Sequence, residues 1–246
     1  MIVQTAHAEV FRYFDEEGTL IVTDDPYGKK KRERPEYHKK QTRSNKVQPN
    51  FREDVFYEFY EVSGKTVHDA VAAADRLGPL DKHEGRHYAG QTRWNFGLSY
   101  TLDFSYSNED DLIAASVQIS DIDFRSDITV ILPELSDDTR FESSDINAWG
   151  LFLQMLSEHE HDHVRIIREP RFRQELISAI SGIRELTMPN QGDENAGSMV
   201  KSAIESKIGA LVHETIRKIK QKNDEYDRLT DHGRKPELRS LFFQNL

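Results

Sequence analysis

Apolar positions along this chain first recur at the spacing of strands and later at the spacing of helices. Residues Glu9 to Asp24 read E-V-F-R-Y-F-D-E-E-G-T-L-I-V-T-D, two β-rich runs around Asp15-Glu16-Glu17-Gly18. That turn chemistry predicts a hairpin with Gly18 at positive φ. Asp54 to Val62 is aromatic and β-branched and closes at Ser63-Gly64, which predicts a strand. Thr66 to Leu77 carries Val67, Val71 and Ala74 on one helical face and stops at Gly78-Pro79. Thr92 to Phe104, Ala115 to Phe124 and Asp127 to Leu132 alternate with the partial period of two expected of antiparallel strands.

From Ser144 the period lengthens. A helix capped by Ser144 or Asp145 should run to about Glu169, where Pro170 ends or kinks it. Trp149, Phe152, Leu153, Leu156, His159, His163 and Ile167 fall on one stripe. A second helix is expected from about Arg171 to Leu186, then a turn-rich break at Met188 to Asp193. A third, long helix follows from Ser198 to about Thr230, with Val200, Ile204, Ile208, Leu211, Thr215, Ile219 and Tyr226 inward and His232-Gly233 as its stop. Strands first and helices later predict an α+β fold, an antiparallel sheet followed by long helices. The expected organisation is an N-terminal segment with hairpin (1–27), a basic linker (28–50) and a main domain (51–246).

Charge sharpens this division. The chain of 246 residues has a net charge of -10, but residues 28–50 hold nine Lys/Arg against Glu33 and Glu36, net +7, leaving -17 for the rest. An acidic body is a poor non-specific binder of nucleic acid, whereas the basic segment suits an anionic surface such as that of a cell envelope. Without cysteine, disulfides, thiolate metal sites and a catalytic thiol are excluded, so a metal must be held by imidazole or carboxylate. No apolar run reaches the ~20 residues of a membrane span. Ala6-His7-Ala8 has the small residues that signal peptidase prefers at -3 and -1, which leads us to expect a secreted or periplasmic protein, with a cytoplasmic one as the alternative. The hairpin resembles the short tyrosine- and aspartate-glycine-containing module at the mature N-terminus of many bacterial envelope proteins, over fewer than twenty residues.

The densest chemistry is His159-Glu160-His161-Asp162-His163, a match to H-E-x-x-H. At 100° per residue His159 and His163 share a helix face, Glu160 stands beside them and His161 points away. Two neutral imidazoles one turn apart can ligate zinc, and a non-ligating glutamate can take a proton from the zinc-bound water. With this composition, chance gives roughly 0.03 such matches. The longer H-E-x-x-H-x-x-G-x-x-H form is not met, because Ile166 and Glu169 stand where Gly and His are needed. A third ligand must therefore come from elsewhere: His232 is the best candidate, with Asp227 and Glu185 behind it. His83 and His87 sit in a loop that could wall a cleft with Arg93-Trp94, and His213 lies off the inward stripe.

The residues Tyr60-Glu61-Val62-Ser63-Gly64, Gly78-Pro79, Tyr88-Ala89-Gly90-Gln91-Thr92-Arg93-Trp94, Leu132-Pro133, Trp149 ahead of the motif, and Tyr226-Asp227-x-x-Thr230-x-His232-Gly233 carry a resemblance. The chain is similar, over about Val55 to Gly233, to a bacterial family of predicted secreted zinc-dependent proteases, a zincin-like domain of unknown function. The resemblance implies a zincin-like fold and favours His232 over Asp227, since the T-x-H-G ending recurs in that family.

The resulting expectation is a Zn2+-dependent peptidase acting on a protein or peptide. Its ligands are His159, His163 and His232, and Glu160 is its general base. Tyr226 either donates to the developing oxyanion or packs the helix end. Two other classes compete: a non-catalytic envelope scaffold with a structural zinc, and an anion-binding module led by the basic segment.

Overall fold

A computed structural model describes residues 4–21, 52, 54–81, 84–109, 111–190, 195–244 and 246. The basic segment 28–50 and His83 lie outside the described residues. In chain order the elements are β1 (Gln4–Phe14), β2 (Leu20–Ile21), β3 (Phe56–Val62), α1 (Val67–Leu77), β4 (Leu80–Asp81), β5 (Arg86–His87), β6 (Gln91–Glu109), β7 (Leu112–Leu135), α2 (Ser143–Ile167), α3 (Pro170–Ser181), β8 (Glu185–Pro189) and α4 (Ala196–Thr230). A 3-10 turn (Pro236–Leu238) and α5 (Arg239–Phe243) close the chain. This is an α+β protein. No helix among the described residues is long and apolar enough to cross a membrane.

The chain forms two compact units. The first comprises Met1–Pro26, Asn95–Ser126 and Arg168–Gln221. Its strand order is β2-β1-β6-β7, with β8 on β7. β1 pairs antiparallel with β6 along eleven positions, from Gln4↔Tyr106 to Phe14↔Phe96. The expected turn is present, with Gly18 at φ 82° and the Asp15 carboxylate accepting the amides of Glu17 and Thr19. A two-stranded hairpin is marginal alone, and here its first strand gains a second partner. The α4 residues Val200, Ile204, Ile208, Val212, Ile216 and Ile219 are all buried. At ~1.5–3 kcal/mol per buried aliphatic side chain, that stripe stabilises the helix far more than its propensity does.

Two expectations fail in this unit. The second helix ends at Ser181 with Gly182 after it, and Glu185 and Leu186 belong to β8, paired with Ser116 and Ala115 of β7. A free strand edge outweighs the local helical pattern there. The separate runs 115–124 and 127–132 are also one strand, β7, continuous through Arg125 and Ser126.

The second unit comprises Tyr27–Trp94, Asp127–Ile167 and Lys222–Leu246. Here β3 runs parallel to β7, from Phe56↔Thr129 to Val62↔Leu135, so the sheet is not purely antiparallel as its alternation suggested. Thr66 caps α1 in a reciprocal capping box with Asp69, and the Gly78 amide bonds the Ala74 carbonyl at its far end. Val62, Ala70, Ala73, Ala74, Ala89, Trp149 and Leu153 form one core, and Ile166, Tyr226 and Phe242 another. α2 ends at Ile167, and Pro170 opens α3 in the first-turn position that tolerates its missing N–H.

Candidate metal centre

All the residues of this site lie in the second unit. The stripe of α2 is buried at Trp149, Leu153, His159, His163 and Ile167, with Phe152 and Leu156 half-buried beside it. One helical turn apart, the rings of His159 and His163 stand nearly perpendicular at 86°, and their Nε2 atoms are 3.2 Å apart. The last turns of α4 bring Asp227 to them, with Oδ1 3.1 Å from His159 Nε2 and 3.0 Å from His163 Nε2. Among the described residues His159, His163 and Asp227 form the one group able to hold a metal ion.

Three donor atoms this close need a positive charge between them. His163 Nδ1 lies 2.7 Å from Asn223 Oδ1, so its N–H is spent there and the neutral ring turns a lone pair at Nε2 toward the other two donors. Asp227 Oδ1 is buried and makes no well-directed hydrogen bond. The edges of 3.0, 3.1 and 3.2 Å approach the roughly 3.3–3.4 Å between tetrahedral ligands ~2.0–2.1 Å from zinc. Two imidazoles and a carboxylate therefore fit a divalent cation. With no cation bound, a proton takes that place. Burial pulls the His163 pKa down, but the adjacent Asp227 charge more than reverses this and pushes it up to about 10. Burial would raise Asp227, yet the His163 and His159 rings hold it below the usual carboxylate range.

Glu160, only 3 % exposed, stands beside this triangle. The Thr92 hydroxyl donates to its Oε2 at 2.7 Å. A Cβ on Gly90 would come within 2.6 Å of its Oε1, so the start of β6 and the residues before it lie directly on the carboxylate. Tyr60, from β3, fixes that stretch by donating its hydroxyl to the Ala89 carbonyl at 2.7 Å.

His232, expected as third ligand, stands next to the triangle and outside it. Its Nδ1 is 3.9 Å from Asp227 Oδ1, and its ring stacks on Tyr88 at 4.5 Å. The Tyr88 hydroxyl donates to Glu84 and lies 3.3 Å from His232 Nε2. Burial and the bond to Glu84 push the Tyr88 pKa up to about 12. Asp231, His232 and Gly233 all have positive φ, at 53°, 51° and 80°. This left-handed hook turns the chain sharply after α4 and sets Gly233 against His159, where a Cβ would lie 2.9 Å from the ring's Cγ. It explains why Thr230-x-His232-Gly233 reads as a motif: the glycine is needed both for its φ and for its closeness to a ligand.

Tyr226 was expected either to face a substrate oxyanion or to pack the helix end. It is fully buried, stacked on His159 at 5.1 Å, and its hydroxyl donates to Asp162 Oδ2 at 2.5 Å. The packing role is the one this placement serves. Arg239 donates to the same Asp162 oxygen at 2.5 Å and to Glu158 Oε2 at 2.5 Å. Asp162 and Arg239 were missed by sequence reasoning. Asp162 is the unassigned position inside the histidine motif, and nothing in the sequence pairs it with an arginine 77 residues later.

The other candidates lie elsewhere. His161 is half-buried with Nε2 2.7 Å from the Tyr57 hydroxyl, whose own oxygen accepts the Arg52 amide. His87 Nδ1 is 2.6 Å from the Gly78 carbonyl. Trp94 is a core residue, 6 % exposed, and Arg93 donates to Gln91. Glu185 is in β8, Glu169 precedes α3, and exposed His213 lies beside Gly18, all in the first unit.

Residues 57–233 match a family described as a bacterial protein of unknown function (DUF922). No curated protein and no solved structure matches the chain.

Proposed function

The chain belongs to this bacterial family, and we propose that it is a zinc-dependent peptidase with His159, His163 and Asp227 as the metal's protein ligands. One observation supports the reading: three donor atoms 3.0–3.2 Å apart, two of them imidazole Nε2 and one carboxylate oxygen, converge as the ligands of a divalent cation would. A bound zinc ion would acidify a water and polarise a substrate carbonyl. Glu160, adjacent to the triangle and not part of it, accepts the proton and returns it to the leaving amine. Asn223 fixes the tautomer of His163. Tyr226 packs flat on His159 and holds that ring in place.

The test is metal analysis of the purified protein together with Glu160→Gln. We expect about one zinc per chain in both proteins, and cleavage of a fluorescence-quenched peptide library by the wild type alone. A variant that still hydrolyses, or a wild type that takes up no divalent metal, would refute the reading.

A second arrangement is favoured by the 3.9 Å approach of His232 to Asp227. If His232 joins the other three as a ligand, the site closes around the ion and the zinc is structural, as in a binding or scaffold protein. A cobalt-substituted protein whose spectrum ignores added azide would point that way; an azide-sensitive spectrum supports the peptidase.

A further inference from the structure

Glu160 is only 3 % exposed, and the described side chain that donates to its carboxylate is the hydroxyl of Thr92, 2.7 Å from Oε2 and 3.1 Å from the backbone carbonyl of Glu160. An unsupported buried carboxylate is costly, so this contact has large leverage over where the group sits. The contact is built from outside α2. Tyr60 donates to the Ala89 carbonyl at 2.7 Å, and the Tyr88 amide bonds the Pro79 carbonyl at 3.1 Å. Gly90 then passes so close to Glu160 Oε1 that a methyl group would sit 2.6 Å from it. Oε2 is thus bonded and Oε1 confined, which leaves the side chain little rotational freedom.

We propose that Thr92 is a positioning residue that fixes the Glu160 carboxylate, and that Gly90 and Tyr60 hold the stretch of chain from which it acts. The inference rests on the peptidase reading for its effect on turnover, but the contact itself can be tested without it. A hydroxyl donor suits this role because it orients the carboxylate through one lone pair and leaves the remaining ones to accept a proton, whereas an arginine or lysine would tie them up. Preorganisation of this kind acts on the chemical step and leaves substrate affinity largely alone.

Two experiments decide it. In zinc-free protein, melting temperatures of Thr92→Val, Glu160→Leu and the double variant form a cycle. Thr92→Val should cost about 3–12 °C when Glu160 is present and clearly less when it is replaced by leucine, where the hydroxyl keeps only the backbone carbonyl of residue 160 at 3.1 Å. Equal losses in both backgrounds would overturn the proposal. In zinc-loaded protein, Thr92→Val should lower kcat for a quenched peptide by about 10–100-fold with KM and zinc content unchanged, and Thr92→Ser should restore it to within about threefold. An unchanged kcat, or a loss that serine does not restore, would also overturn it. If the wild type binds zinc and cleaves nothing, the peptidase reading fails, while the melting cycle still decides the contact.

Discussion

Replacing Asp227 with asparagine keeps the shape of the donor triangle and removes its negative charge. In the zinc-free protein this carboxylate lies 3.1 and 3.0 Å from the two imidazole Nε2 atoms, and its charge is what holds a proton on buried His163. Removing one partner of a buried ion pair costs about 3–5 kcal/mol. At about 2–4 °C per kcal/mol for a chain of this size, the zinc-free melting temperature should fall by about 6–20 °C. Zinc affinity, measured by competition with a chromophoric chelator, should fall by more than about 100-fold, above the 10–100-fold typical of a partner that only supports a ligand. His232→Ala, in the same assay, should lose no more than about tenfold, because its Nδ1 is 3.9 Å from Asp227 Oδ1 and its Nε2 is turned to Tyr88. The reverse order, with His232→Ala abolishing binding and Asp227→Asn sparing it, would refute the ligand assignment.

Gly233→Ala should be costly although the added group is one methyl. The position has φ 80° and the new Cβ would meet His159 Cγ at 2.9 Å, with that ring already stacked on Tyr226. A penalty of about 2–4 kcal/mol should appear as a lower melting temperature, accompanied by weakened zinc binding; wild-type values for both would contradict the packing described. The pH dependence follows from His163. Its folded pKa is raised to about 10, so the ion pair with Asp227 contributes fully to zinc-free stability below about pH 6.5 and is lost as pH rises through 10. Asp227, with its pKa lowered, contributes above about pH 3.8 and loses that contribution as pH falls through its folded value. Zinc must displace the His163 proton, so its apparent Kd should tighten by about tenfold per pH unit between pH 6 and 8.5; a pH-independent Kd would show that no proton is exchanged.

The sequence revealed this site where its chemistry is local and obscured it where the partners are distant. His159, Glu160 and His163 are specified by spacing on one helix, and Trp149 and Leu153 continue their stripe, so the whole face of α2 was legible. Asp227 was visible as a candidate but ranked below His232, since residues five apart at a helix end cannot be told apart by pattern. The deciding factor is that Asp227 is still in α4 while His232 is in the left-handed hook beyond it. Tyr226 read as inward and is inward, and its bond to Asp162 depends on two helices meeting, which periodicity does not encode. Glu185 and Leu186 of β8 read as the end of a helix, and Met188 and Pro189 as the start of a turn, because an edge strand of five residues takes its identity from the partner it finds. The parallel pairing of β3 with β7 was hidden for the same reason: alternation reports which face is buried and is silent about strand direction.

The clasp made by Arg239 has a consequence for where the working unit ends. The family match stops at residue 233, yet the guanidinium that neutralises buried Asp162 and Phe242, which covers Tyr226, both come after it. A fragment trimmed to the matched span would keep every atom of the donor triangle and lose the groups that back Tyr226 and Asp162. Its histidines would then rest on a tyrosine bonded to an uncompensated carboxylate. On the C-terminal side, the boundary drawn by sequence similarity and the boundary drawn by these supporting contacts differ by the 3-10 turn and α5.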